Sequence, residues 1–180
     1  MSDDGYELAR LSAAARALDA AAFARDYPEP VFWVEASEDE ASGELFTRAD
    51  ETLRPGQQVR IAPVRKRDGA NLFQRMITIG RAPSNDVVIP GADVSKFHAY
   101  VLATPTGPAL CDAGSTAGTT LGDTRLEPRE RQPLRSGDRA RLGSATLVYL
   151  EPADLHARLL AAPEPEQDDS GPDGPATRWE

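Results

Sequence analysis

Three short blocks between Ile77 and Leu126 hold the residues that could do chemistry: Gly80-Arg81, Ser95-Lys96-Phe97-His98, and the run from Asp112 through Gly114-Ser115-Thr116-Ala117-Gly118 to Thr119. A phosphate ester needs a fixed guanidinium fork and short donors on a rigid rim, and these blocks contain both. Arg81 follows a glycine, whose missing Cβ lets a strand turn sharply into a loop. Arg81 on its own reads as half of a surface ion pair; the company of Ser95, Lys96 and Thr116 is what makes it a candidate. Ser95, His98 and Asp112 also contain the residue types of a hydrolase triad. No nucleophile elbow surrounds Ser95 and no oxyanion-hole motif lies nearby, so that chemistry is not expected. The Gly114–Thr120 run lacks the lysine and the spacing of a nucleotide phosphate loop. One cysteine and two histidines give neither an internal disulfide nor a tetrahedral zinc set, and no metal or cofactor is expected. Cys111, within an apolar segment, reads as a buried inert thiol.

The elements that must position these blocks are short and β-like. Val59–Val64, Met76–Gly80, Asp86–Ile89, His98–Ala103, Ala109–Asp112, Thr119–Leu121, Arg139–Leu142 and Ala145–Glu151 are separated by turn residues such as Pro83-Ser84-Asn85, Pro90-Gly91, Gly122-Asp123 and Ser136-Gly137-Asp138. Evenly spaced short strands predict an all-β sandwich over residues 58–151. Ahead of it, Asp3 or Asp4 can cap a helix running to about Arg25, with Leu8, Leu11, Ala15, Leu18 and Ala22 forming one apolar stripe. Tyr27-Pro28-Glu29-Pro30 ends that helix, and Val31-Phe32-Trp33-Val34 reads as a short strand or an apolar anchor, closing an N-terminal extension at residue 34. Residues 35–57 read as an acidic linker, 152–162 as a short closing helix with Leu155, Leu159 and Leu160 on one side, and 163–180 as a disordered acidic tail.

Charge is distributed in blocks. The 180 residues carry a net charge of −9, but residues 54–151 hold 14 bases and 9 acids between two acidic arms. An acidic whole argues against coating nucleic acid or an anionic membrane. Arg65, Lys66, Arg67 and Arg75 cluster before the central motif and read as a solvated loop facing the acidic arms, because the aromatic residues of a base-stacking platform are missing apart from Phe73. The absence of a signal-peptide pattern and of a membrane-length apolar run, with no disulfide pair, predicts a cytoplasmic protein. Of the 20 basic residues 18 are arginine, and alanine, glycine and proline are abundant, as in proteins of GC-rich bacteria.

Taken together and interleaved with β segments, the three blocks resemble the forkhead-associated (FHA) domain, a small β-sandwich that reads phosphothreonine in partner proteins. The resemblance covers residues 58 to 151. It implies that Arg81 grips the phosphate, that Ser95 and Lys96 supply a hydroxyl and a second positive charge, and that Thr116 lies beside the phosphothreonine. Gly80, Asn85, His98 and Gly118 would support the site structurally. Ala117 stands where the family usually carries an asparagine that bonds the peptide backbone, and losing one or two such bonds costs about 1–3 kcal/mol. The resemblance implies a non-enzymatic adaptor in Ser/Thr kinase signalling, partnered by a threonine-phosphorylated protein or the kinase itself, with no nucleic acid, membrane or cofactor. Two alternatives stay open: a phosphate-independent interaction scaffold, and a regulatory subunit of a partner enzyme. The N-terminal helix is expected to dock on the domain rather than to dimerise, and the oligomeric state is left open.

Overall fold

The computed structural model describes residues 7–36 and 58–162. Asp3, Asp4, most of the expected linker and the expected disordered tail lie outside the described residues. Two sheets face each other. One has six strands in the order β2 (Gln58–Pro63), β1 (Val31–Ala36), β11 (Ala145–Leu150), β10 (Arg139–Leu142), β7 (Thr119–Leu121) and β8 (Thr124–Arg125). The other has five in the order β4 (Val87–Val88), β3 (Met76–Gly80), β5 (Ala99–Thr104), β6 (Gly107–Asp112) and β9 (Gln132–Pro133). All pairings are antiparallel except β3 with β4. Their inner faces meet in a core that includes Phe32, Val34, Ile79, Val101, Leu110, Leu142 and Leu147. This is the expected β-sandwich, with helices at both ends of the described chain.

Three findings differ from the expectation. First, the single N-terminal helix is two: α1 (Leu8–Ala17) and α2 (Ala20–Asp26). Leu18 is extended, and the Asp19 carboxylate accepts the Ala22 N–H at 2.8 Å. A short aspartate side chain bonds a free N–H at a helix start better than it tolerates a helix interior, so Asp19 divides the apolar stripe. Second, of the two readings of Val31–Val34 the strand holds, but it is an interior strand and runs on to Ala36, into the expected linker. It pairs along its length with both β2 and β11, setting Phe32 opposite Tyr149 and Trp33 opposite Ile61. Third, β9 is a two-residue strand that no sequence pattern announced, whereas β8 pairs with β7 across the Gly122-Asp123 turn.

The helices explain why β1 is apolar on both sides. Phe32 and Val34 point into the sandwich, whereas Val31 and Trp33 face a second apolar cluster built with Leu11, Phe23, Val148, and Leu155 and Leu159 of α3 (Pro152–Ala161). A strand covered on both faces reads as a continuous hydrophobic run without alternation. The buried His156 ring donates from Nε2 to the carbonyls of Ala15 and Leu18, at 3.1 and 3.0 Å, taking up the free end of α1. Phe23 packs against that ring at 5.2 Å between centroids. Arg158 stacks 4.6 Å over Trp33 and, with Arg139, pairs Glu35. Among the described residues no helix is long and apolar enough to cross a membrane.

Candidate functional site

Gly80 is the last residue of β3, and a Cβ there would stand 2.6 Å from the Lys96 carbonyl oxygen and 2.8 Å from that of Ser95. Only glycine lets the strand run this close to the next loop. Backbone bonds then lock the two segments: Arg81 N–H to Ser95 C=O at 3.0 Å, Ala82 N–H to Lys96 C=O at 3.2 Å, and His98 N–H to Ile79 C=O at 2.8 Å. The third loop joins through Thr116 N–H, which donates to the Ser95 hydroxyl at 3.1 Å. Arg81, Ser95, Lys96 and Thr116 are thereby brought together at one end of the sandwich. Arg81, Lys96 and Thr116 are exposed there. Among the described residues the Arg81 guanidinium and Lys96 ammonium make no hydrogen bond or ion pair.

Behind this rim, His98 is fully buried and bridges two loops. Its Nδ1 accepts the Ser95 backbone N–H at 3.0 Å, so Nε2 carries the proton donated to the Gly118 carbonyl at 3.1 Å. Burial holds the ring's pKa below its ordinary value, against the opposing pull of the Gly118 carbonyl, Asp112 and Asp93. A neutral ring is what this pair of bonds requires. Asn85, also buried, donates to the carbonyls of Ala82 and Lys96 at 2.9 and 2.6 Å. Gly118 adopts a positive φ of 80°, and a side chain there would collide with the Arg125 guanidinium, which bonds the Ala117 carbonyl at 3.3 Å. The residue types of a triad are present without its geometry. His98 meets the backbone of Ser95 rather than its hydroxyl, and the Asp112 carboxylate is taken up by Ser115 N–H and Oγ.

Four bracing residues were missed in the sequence. Asp112 fixes the third loop through Ser115, at the short spacing of an Asx turn, a local signal that was readable. Arg125 latches the same loop from β8. Asp93 reaches Ser144 N–H at 2.6 Å, tying the Ser95 loop to the β10–β11 turn across a separation of 51 residues, which no local pattern reveals. Asp86 is buried beside Thr78, whose N–H and hydroxyl it bonds, and accepts from Lys66 at 2.7 Å and Arg67 N–H at 3.0 Å. Burial raises the cost of its charge, but Lys66, the backbone N–H groups of Arg67 and Thr78, and Asn71 outweigh it and hold its pKa below the ordinary value. The basic segment is therefore not a wholly solvated loop: Lys66 is half-buried and spans Asn71, the Met76 carbonyl and Asp86. Cys111 is buried, and burial pushes its thiol up. Among the described residues no group of histidine, cysteine and carboxylate side chains could hold a metal ion.

Residues 77–143 match the family model of the FHA domain. Over 110 residues, 61% of this chain, the sequence is 33% identical to an ABC transporter ATP-binding/permease protein of Mycobacterium tuberculosis, 11% of which is covered. Over 79 residues, 44% of this chain, it is 34% identical to the oxoglutarate dehydrogenase inhibitor of Corynebacterium efficiens, 54% of which is covered. The chain thus spans about half the length of the inhibitor and a small part of the transporter. Among solved structures, Mycobacterium tuberculosis EmbR in complex with a low affinity phosphopeptide aligns with 68% of this chain and 24% of its own, at 22% identity and a TM-score of 0.44. The family match runs from β3 to the end of β10 and contains all three blocks that meet at the loop end of the sandwich, and this chain carries a forkhead-associated domain.

Proposed function

We propose that this protein is an adaptor that binds threonine-phosphorylated partners, with Arg81 gripping the phosphate and Ser95, Lys96 and Thr116 completing its cradle. The observation that carries this reading is the convergence of three loops, locked by backbone bonds, on a rim bearing two cations without a partner among the described residues. A phosphothreonine brings about −1.5 to −2 charges and three acceptor oxygens to such a rim. Charge-assisted bonds of this kind contribute about 1.5–3 kcal/mol each. Preorganisation adds to this, because the loops are already held by His98 and Asn85 before a ligand arrives. The partner is a phosphorylated protein or the Ser/Thr kinase that modifies it, in the cytoplasm. The FHA domain is a binding module, and turnover is not part of the proposal.

Ala117 favours a second reading, a scaffold that holds partners without regard to phosphate, because its methyl group cannot make the peptide-backbone bond expected of an asparagine there. The relatives named oxoglutarate dehydrogenase inhibitor fit, in part, a version in which the bound partner is an enzyme whose activity changes. Fluorescence polarisation with a degenerate phosphothreonine peptide library, beside unphosphorylated and phosphoserine versions, separates the readings. Saturable binding that requires both phosphothreonine and Arg81 is expected. Equal binding of phosphorylated and unphosphorylated peptides would replace the adaptor by the scaffold.

A further inference from the structure

Beside the proposed phosphate cradle lies an apolar strip that the site residues do not use. Phe97 directly follows Lys96, so its Cα lies about 3.8 Å from that of a cradle residue. Its ring stacks on Phe73 at 5.9 Å between centroids, with 17° between planes, and meets Tyr100 at 6.0 Å. Phe73 is 49% exposed, Phe97 37%, and the neighbouring Leu72 96%. These are the large apolar side chains that the described residues leave in water, apart from Leu160 on α3. Phe73 and Phe97 stack on each other, Leu72 directly precedes Phe73 and Phe97 directly follows Lys96, whereas the sandwich core is filled without them. A stacked pair of rings held in solvent is a preformed platform, since its rotamers are already restricted before anything docks on it.

We propose that Phe73, Phe97 and Tyr100, with Leu72 at the rim, form a specificity ledge for an apolar side chain of the phosphorylated segment itself, within about four residues of the phosphothreonine. This rests on the phosphopeptide reading above and names the class of ligand for that same site. Because Phe97 directly follows Lys96, four residues of extended chain, about 13 Å, suffice to reach from the cradle to the ledge, which sets that window. Charge complementarity selects the rest of the segment. Lys96 adjoins the ledge, and Arg129 and Arg131 act electrostatically on the Tyr100 hydroxyl, so acidic residues beside the apolar one are favoured. A second copy of this chain is the poorer occupant, because three rings and a leucine fall far short of the roughly 800 Å² per partner that a stable dimer buries.

The test uses the full chain and synthetic fluorescein-labelled phosphothreonine peptides on an alanine and glutamate background. Phenylalanine or leucine is placed in turn at each of four positions on either side of the phosphothreonine. One or two adjacent positions are expected to raise affinity about tenfold, the effect of burying one apolar side chain. Phe97→Ala and Phe73→Ala should each bring that gain below about threefold while binding the all-alanine phosphopeptide as the unaltered protein does. Thermal melts of both variants, expected to show a single cooperative transition, guard against misfolding. Phosphate-dependent binding with no apolar preference, or a preference that survives both substitutions, overturns the ledge and leaves the cradle standing. Absence of phosphate-dependent binding with any peptide overturns both. Sedimentation equilibrium showing a dimer that Phe97→Ala dissociates would assign the ledge to self-association instead.

Discussion

Two regions of this molecule are held by different forces. Over the outer face of the six-stranded sheet, α1, α2 and α3 bury Leu11, Phe23, Trp33, Leu155 and Leu159 in an apolar cluster. At the loop end, order comes from hydrogen bonds: His98 to Ser95 and Gly118, Asn85 to Ala82 and Lys96, Asp112 to Ser115, and Asp93 to Ser144. Apolar burial is non-directional and resists unfolding, whereas hydrogen bonds fix direction and spacing. A binding rim needs the second property, and it can leave Arg81 and Lys96 open to solvent because the first is supplied elsewhere.

This contrast predicts separable failures. Phe23→Ala removes a fully buried ring from the helical cluster and should lower unfolding free energy by about 3–5 kcal/mol in urea titrations, with phosphopeptide affinity of the folded fraction unchanged. A parallel loss of affinity in the folded protein would mean that the two regions are coupled. Arg81→Ala should do the reverse. It leaves the unfolding free energy within about 0.5 kcal/mol of the parent, as for an exposed substitution, and weakens phosphothreonine binding by about tenfold or more. Gly80→Ala lies between. Its new methyl group meets backbone carbonyls rather than flexible side chains, so it should cost about 1–3 kcal/mol of stability and also loosen the cradle, visible as both a lower midpoint and weaker binding.

The smallest effect is one of pH. Above the ordinary histidine value of 6.5 the His98 ring is neutral whether the chain is folded or not. As pH falls below it, the unfolded chain takes up a proton first, because burial chiefly depresses the folded ring's pKa, and stability declines until the folded ring is protonated as well. Urea midpoints followed from pH 8 to 5.5 should therefore fall more steeply in the parent than in His98→Gln. Parallel curves would show that the ring carries no such linkage.

How much of this was legible follows the same divide. The loop end could be read because its residue types are local and chemically distinctive, and Gly80, Asn85 and His98 are each found at a contact that needs their shape or donors. The helical side was harder. Asp19 looks like one more polar residue on an alanine-rich helix until its carboxylate is seen capping Ala22. Val31–Trp33 shows no alternation because both of its faces are covered, which left a strand and an apolar anchor equally readable there. Asp93 and Ser144 are distant in sequence, and only the closed sandwich brings them within reach of each other.

The placement of β1 also governs how this protein can be cut and transplanted. The segment that carries the family match, residues 77–143, omits β1, β2 and β11, half the strands of the larger sheet, and every residue of the helical cluster. Excised alone, it would leave the inner faces of Ile79, Val101 and Leu110 without the Phe32, Val34 and Leu147 that cover them. A transferable module built from this chain therefore has to keep β1 at one end and α3 at the other, although the segment that matches the family model lies entirely between them.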